Sequence, residues 1–463
     1  CSKFFNLMCI GLWTCAEADE TQSTQISNLK FTRNYHNSLK EINMKLPCNI
    51  LTVAVIAFAS PAAAVDKTKV LDTYANIAAA KFDDSLITAQ RLKSAVTKLI
   101  NIPSADNLTQ ARKAWLASRV PYQQTEVYRF GNSIVDDWEG KVNAWPLDEG
   151  LIDYVDAAYG GPSDNNQFAA LNVIANPTLT LSGKLIDATK ITPNLIETVL
   201  HEADGVEANV ATGYHAIEFL LWGQDLNGHD HGTGQRTWTD YAMGNDCSNG
   251  NCDRRGEYLN AATDLLISDL DWMVAQWGIG GAARTSLLSD TDKGLSAILT
   301  GMGSLSYGEL AGERMRLGVM LHDPEEEHDC FSDNTHNSHY FDGLGIQNVY
   351  LGEYVRIDGT IVNGPSLSDM VAAKDAEIDS EMKSKLHNTM MALGRMKTAA
   401  EAGFSYDQML ASGNAAGEAL IQGGVDGLVN QTRSIERVVA ILNLGQIEFE
   451  GSDSLDDPEA VFQ

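Results

Sequence analysis

Apolar residues recur near a 3.6-residue period along most of this chain, and that spacing constrains the fold more than anything else in it. Residues 67–100 read as one long helix, with Val70, Leu71, Tyr74, Ile77, Leu86 and Ile87 on its apolar face. Ile102-Pro103 breaks it, and Ser104 is placed to cap a second helix over about 106–131, kinked at Pro121. Thr192-Pro193 has the cap-then-proline order of a helix start. Further helical patterns cover 256–277, 292–321, 367–402 and 416–443. There is no strand-rich block, no phosphate-binding glycine fingerprint and no nucleophile elbow. The expectation is an all-α protein, with two helical-bundle domains and a loop-rich interface between them.

The stretch Gly213-Tyr214-His215-Ala216-Ile217-Glu218-Phe219-Leu220-Leu221-Trp222-Gly223 stands out within this pattern. His215 and Glu218 are three apart and share one helix face. Their surroundings are almost wholly apolar, so an imidazole and a carboxylate would be buried together. Spacing alone leaves two readings open: a metal or catalytic site, or a pair that satisfies itself. Glu126 and Arg129 pose the same choice among the aromatics of 121–131, as a site or as an internal ion pair. Asp148, Glu149 and Asp153 are loop acids open to a cation or to water, and Glu353 lies in a later segment. The loop 223–234 resembles a calcium loop only superficially, lacking the spacing and the terminal Glu. His328, His336 and His339 lie close together among acids but match no named ligand spacing.

Charge narrows the partners. With 33 Lys+Arg against 62 Asp+Glu, a net −29, the balance argues against nucleic acid as a partner, since phosphate binding needs basic patches. Residues 1–43 read as an upstream leader or non-native segment. Met44-Lys45, the apolar run 50–59 and Ala62-Ala63-Ala64 have the order of a signal peptide over 44–64, which places the mature start at Val65. A run of ten residues falls short of the ~20 that span a bilayer, and no transmembrane span is expected in the mature chain. The compartment this implies is the periplasm or cell envelope, where Cys247 and Cys252 can close a small loop as a disulfide, leaving Cys330 over. The mature chain divides into an N-terminal bundle over 65–245, a C-terminal bundle over 246–447 and an acidic tail over 448–463, read as disordered.

Gly213-Tyr214-His215-Ala216-Ile217-Glu218 fits the Gly-x-His-x-x-Glu hallmark of the imelysin family without departure. The flank 219–225, the segment Pro121–Gly131 and Cys330-Phe331-Ser332-Asp333-Asn334-Thr335-His336 fit as well. The chain therefore resembles that family over essentially its whole mature length, closest to the iron-regulated protein A branch. The resemblance implies two helical bundles with the motif near the cleft between them, export, and a link to iron uptake with other envelope proteins as partners. It also implies a peptidase label. A zinc peptidase needs three ligands and a base, and the motif supplies one His and one Glu, with Glu218 the candidate base. A metal-binding role asks less. His215, Glu218 and Glu126 on facing helices make a hard O/N set for a divalent or ferric ion, iron above zinc, with Arg129, Asp148, Glu149, Arg314 and Glu353 as further site residues. A non-catalytic envelope scaffold is the third reading.

Overall fold

The computed structural model describes residues 65–163 and 166–462. The leader and signal-peptide readings over 1–64 lie outside those residues. The described chain belongs to one compact unit, Pro61–Gln463, and it is all-α apart from two short antiparallel hairpins, Thr178–Leu181 with Lys184–Asp187 and Glu353–Val355 with Ile361–Asn363.

Local chemistry sets the helix ends. Asp66 accepts from the Thr68 amide at 2.9 Å to open the first helix, Lys67–Asn101. Ser104 accepts from the Asn107 amide at 3.2 Å to open Ala105–Gln123. That second helix runs through Pro121 but stops at Gln123, short of the expected 131, and gives way to a tight turn over Glu126–Tyr128. Thr192 caps Pro193 as expected, yet the helix widens and ends at Leu200 instead of continuing to Asn209.

Two helix groups follow from packing. In the first, Lys67–Asn101 lies against Ala105–Gln123 and Cys252–Trp277, and Gly213–Trp222 packs on Ala105–Gln123 and Cys252–Trp277. In the second, Ala415–Leu442 lies against Ala376–Glu401 and Leu305–Arg316. Thr335–Leu351 touches both groups, packing on Ala376–Glu401 and on Ala105–Gln123. By packing, the first group thus draws helices from both sides of residue 245. Over Leu305–Arg316 the backbone shifts to i→i+5 hydrogen bonds, the wider turn often found beside functional groups.

The acidic tail is ordered, contrary to expectation. Phe449 covers Gly303, the backbone at Glu450 lies against Gly308, and Ser452 lies against Gly312, each where a Cβ would collide. Ser454 Oγ donates to the Gly312 carbonyl at 3.0 Å. Small residues along one helix face made the docking groove, so a polar segment could pack without a large apolar stripe of its own.

Candidate metal centre

Gly213 has a reason to be glycine. Its φ is +78°, and a Cβ there would sit 2.4 Å from the Val142 carbonyl oxygen. The chain turns sharply at that point, and Thr212 Oγ1 donates to the Lys141 carbonyl at 2.8 Å to hold the entry. The motif helix Gly213–Trp222 starts here as a helix separate from the preceding segment, and every one of its residues is buried. Gly223, at φ +74°, ends it.

His215 and Glu218 then point into the same buried space. His215 Nδ1 lies 3.0 Å from Glu218 Oε2. Glu218 Oε1 accepts from the Ser332 amide at 3.0 Å and from Ser332 Oγ at 2.6 Å. His215 Nε2 is buried and has no hydrogen-bond partner. Trp145 stands against the imidazole with ring centres 5.0 Å apart, and His328 on another side at 4.9 Å.

The loop 327–334 brings the rest. One donor atom from each of His215, His328 and Asp329 lies within 4.8 Å of the other two, and all three residues are buried. The loop wraps on its own carboxylate: Asn334 Nδ2 donates to Asp329 Oδ2 at 2.7 Å, Ser338 Oγ donates to the same oxygen, and the Asp329 amide donates to Thr335 Oγ1 at 3.0 Å. Arg119 meets Asp329 Oδ1 at 2.7 Å and Asn143 Oδ1 at 2.6 Å, and Asn143 Nδ2 lies 3.3 Å from His328 Nε2. Behind Arg119, Asn334 and Ser338 a cavity of about 310 Å³ opens, also lined by Gln123, Asn337 and Phe341.

Burial sets the protonation states. It lowers His215 to about 3, with the Arg119 charge adding to the effect, and it lowers His328 well below the usual imidazole range, with Arg314 and His215 adding to it. Both rings are therefore neutral at pH 7, the form that ligates metals. Burial would raise Asp329, but Arg119, His215, Ser338 and Asn334 outweigh it and hold the carboxyl below its ordinary value. Burial beside that charge pushes Glu218 well up. Of the two carboxyls, Asp329 carries the charge and Glu218 holds the proton.

The other expected residues fall elsewhere. Glu126 Oε2 pairs with Arg314 Nη2 at 2.8 Å, and Arg314 also reaches Glu309 and Asp342. Arg129 pairs with Asp136, Glu139 and Glu309, so the internal Glu126–Arg129 ion pair, one of the two readings of that segment, does not form; the two residues keep an i,i+3 backbone bond, but their side chains go to different partners. Arg129 and Arg314 share Glu309 in one ionic network. Asp148 accepts from Tyr159 at 3.1 Å and from Asn166. Glu149, raised by burial, has Tyr159 and Gln224 as neighbours, and Asp153 is held by Arg236 and Arg255. Glu353 is exposed on a hairpin strand opposite Asn363. Cys247 and Cys252 form the expected disulfide, and Cys330 is buried and free.

Two members of the centre, Arg119 and Asp329, lay hidden in sequence, while His328 stood out only as one of three clustered histidines with no ligand spacing to single it out. The nearest signals were the family-like segments 121–131 and 330–336, which begin one or two residues beyond them.

The family model for imelysin, peptidase M75, matches residues 78–435. Iron-regulated protein A of Synechococcus elongatus is 35% identical over 60 residues, 13% of this chain and 17% of that protein. A crystal structure from Parabacteroides distasonis, named for an iron-regulated protein A precursor, matches with a TM-score of 0.59 at 18% identity, covering 81% of this chain and 94% of that one. At that identity the likeness is one of fold. No helix among the described residues is long and apolar enough to cross a membrane.

Proposed function

The chain belongs to the imelysin family, and from that premise we propose that it is an exported, iron-linked metal-binding protein of the periplasm or cell envelope, acting in iron uptake or homeostasis. The observation that carries this reading is that one donor atom from each of His215, His328 and Asp329 lies within 4.8 Å of the other two in a buried space, with His215 Nδ1 3.9 Å from Asp329 Oδ1 and Nε2 without a hydrogen-bond partner. Two neutral imidazoles and one carboxylate are a donor set that iron favours and zinc accepts. The residues present therefore fit a divalent or ferric ion, which would supply Lewis acidity or a cargo to be passed on.

Within this reading Glu218 is a positioning residue. With Nε2 given to a metal, the ring proton would sit on Nδ1 and Glu218, its own proton released, would accept it through Oε2, the carboxylate–histidine pairing common behind metal ligands. Glu126 serves Arg314 instead of the metal. The disulfide Cys247–Cys252 supports an oxidising, exported setting, and the names of the two relatives, iron-regulated protein A, support the link to iron; other envelope iron-uptake proteins as partners are part of the proposal. The metallopeptidase reading asks Glu218 to act as base, and both its oxygens are already engaged, by His215 and Ser332.

Purified protein is exposed to ferrous, ferric, zinc and copper salts, desalted and analysed for metal. Wild type retains iron and His215→Ala does not. No metal on wild type, or equal retention by His215→Ala, overturns the reading.

A further inference from the structure

A second set of carboxyls meets on the other side of the same loop. Asp225 comes from the polar segment after the motif helix, Glu327 and Asp333 flank His328 and Asp329, and Asp407 lies in the short helix Tyr406–Leu410. One oxygen from each of Asp225, Asp333 and Asp407 lies within 4.8 Å of the other two. Glu327 faces Asp407, Asp333 and the Thr335 hydroxyl and is wholly buried, yet neither of its oxygens receives a well-formed hydrogen bond. Both Asp333 oxygens, Asp225 Oδ2 and Asp407 Oδ2 share that condition. Among the described residues no Lys, Arg or His forms an ion pair with any of the four.

That arrangement is costly as it stands. Buried carboxylates are ordinarily paired with a base or given hydrogen-bond donors. Here the best-formed bonds go to Asp225 Oδ1, from the amide of Asn227 at 2.9 Å and its side chain at 2.6 Å, while the Gly232 amide faces Asp333 and the Ser405 hydroxyl faces Asp407. Those bonds hold Asp225 in place and leave Oδ2 directed to the other acids. Calcium takes oxygen ligands at about 2.3–2.6 Å, so oxygens on one ion stand up to roughly 5 Å apart, the spread found among Asp225, Asp333 and Asp407, with Glu327 packed behind them. Magnesium keeps its waters more tightly and suits a dry, four-carboxyl pocket less well.

We propose that Asp225, Glu327, Asp333 and Asp407 form a second cation site, made of carboxylates, that takes a calcium-sized hard divalent ion. Its donors are separate from His215, His328 and Asp329, so it stands whether or not that centre binds iron. The half-buried Asp225 gives the ion its entry. An ion there ties the segment after the motif helix and the short helix at Asp407 to the loop that carries His328 and Asp329.

The test uses the purified full chain stripped with chelator, titrated with calcium chloride and in parallel with magnesium chloride, by calorimetry and by thermal unfolding. Calcium should bind once per chain and raise the unfolding temperature. Asp407→Asn and Asp225→Asn should each weaken calcium binding about tenfold or more, while His215→Ala binds calcium as wild type does. If Asp407→Asn fails to fold, the half-buried Asp225→Asn decides. No calcium binding by wild type overturns the proposal, since the acids then hold only protons. Magnesium binding as tight as calcium, unchanged binding in the Asn variants, or loss of calcium in His215→Ala overturns it too.

Discussion

His215 Nδ1 stands 3.0 Å from Glu218 Oε2 across a single helical turn, while the other nitrogen of the same ring has no partner. The two atoms of one imidazole thus face different tasks, one oriented and one available. If Nε2 is the ligand, His215→Ala removes metal retention outright. Glu218→Gln keeps a side chain of the same shape but no longer a carboxylate, and metal affinity should fall about 10–100-fold without vanishing. Metal content and competition titration against a chelator measure both. Complete loss in Glu218→Gln would make the carboxylate a ligand itself.

Arg119 and Asp329 form a contact at 2.7 Å with both side chains out of water. Removing one partner of such a pair strands a buried charge, at a cost of about 3–5 kcal/mol. Arg119→Met should show that loss in urea unfolding. Adding Asp329→Asn in the same background should recover part of it, because the stranded charge is then gone. If Arg119→Met unfolds like wild type, the pair is not a stabilising element.

How much of this was readable beforehand depends on how local each feature is. The pairing of His215 with Glu218 needs only helical spacing, and the glycine ahead of them only a sharp turn. The Cys247–Cys252 bridge joins cysteines five positions apart and is equally local. His328 and Asp329 reach the motif from more than a hundred positions away, on a loop with no period to betray which side chains turn inward. Glu126 misled for a related reason. Its helix ends three residues before it, so its partner is Arg314 on a widened turn of a distant helix. Helical periodicity reports which face is buried, and it says nothing of which loops close over that face.

The ordered tail rests on Gly303, Gly308 and Gly312 of the helix beneath it. A Cβ at Gly312 would lie 2.3 Å from Ser452 Cβ, and the Ser452 and Ser454 side chains are buried. Gly312→Ala should therefore lift the 449–456 segment and expose it to protease, with a stability loss of about 1–3 kcal/mol. Limited proteolysis followed by intact mass reads the cleavage. A tail as resistant as in wild type would mean that Ser452 can move aside.

Asp269 offers a test of burial apart from either metal centre. Burial, with the Glu197 charge adding to it, pushes its carboxyl up to about 7, and its Oδ2 has no hydrogen-bond partner. The folded chain therefore holds this proton after the unfolded chain has released it near pH 4. As pH rises from about 4 to about 7 the group takes stability away from the fold. Asp269→Asn removes that titration, so its advantage over wild type should be near zero at pH 4 and reach a plateau above pH 7. Because part of the side chain remains in water, the plateau should be about 1–2 kcal/mol, well under the full value of the shift. Urea unfolding of both proteins at several pH values, in chelator, follows the difference directly. A difference that stays flat with pH would place the Asp269 carboxyl at its ordinary value, and its neighbourhood would then be wetter than the packing of Trp138 against the Asp269 backbone implies.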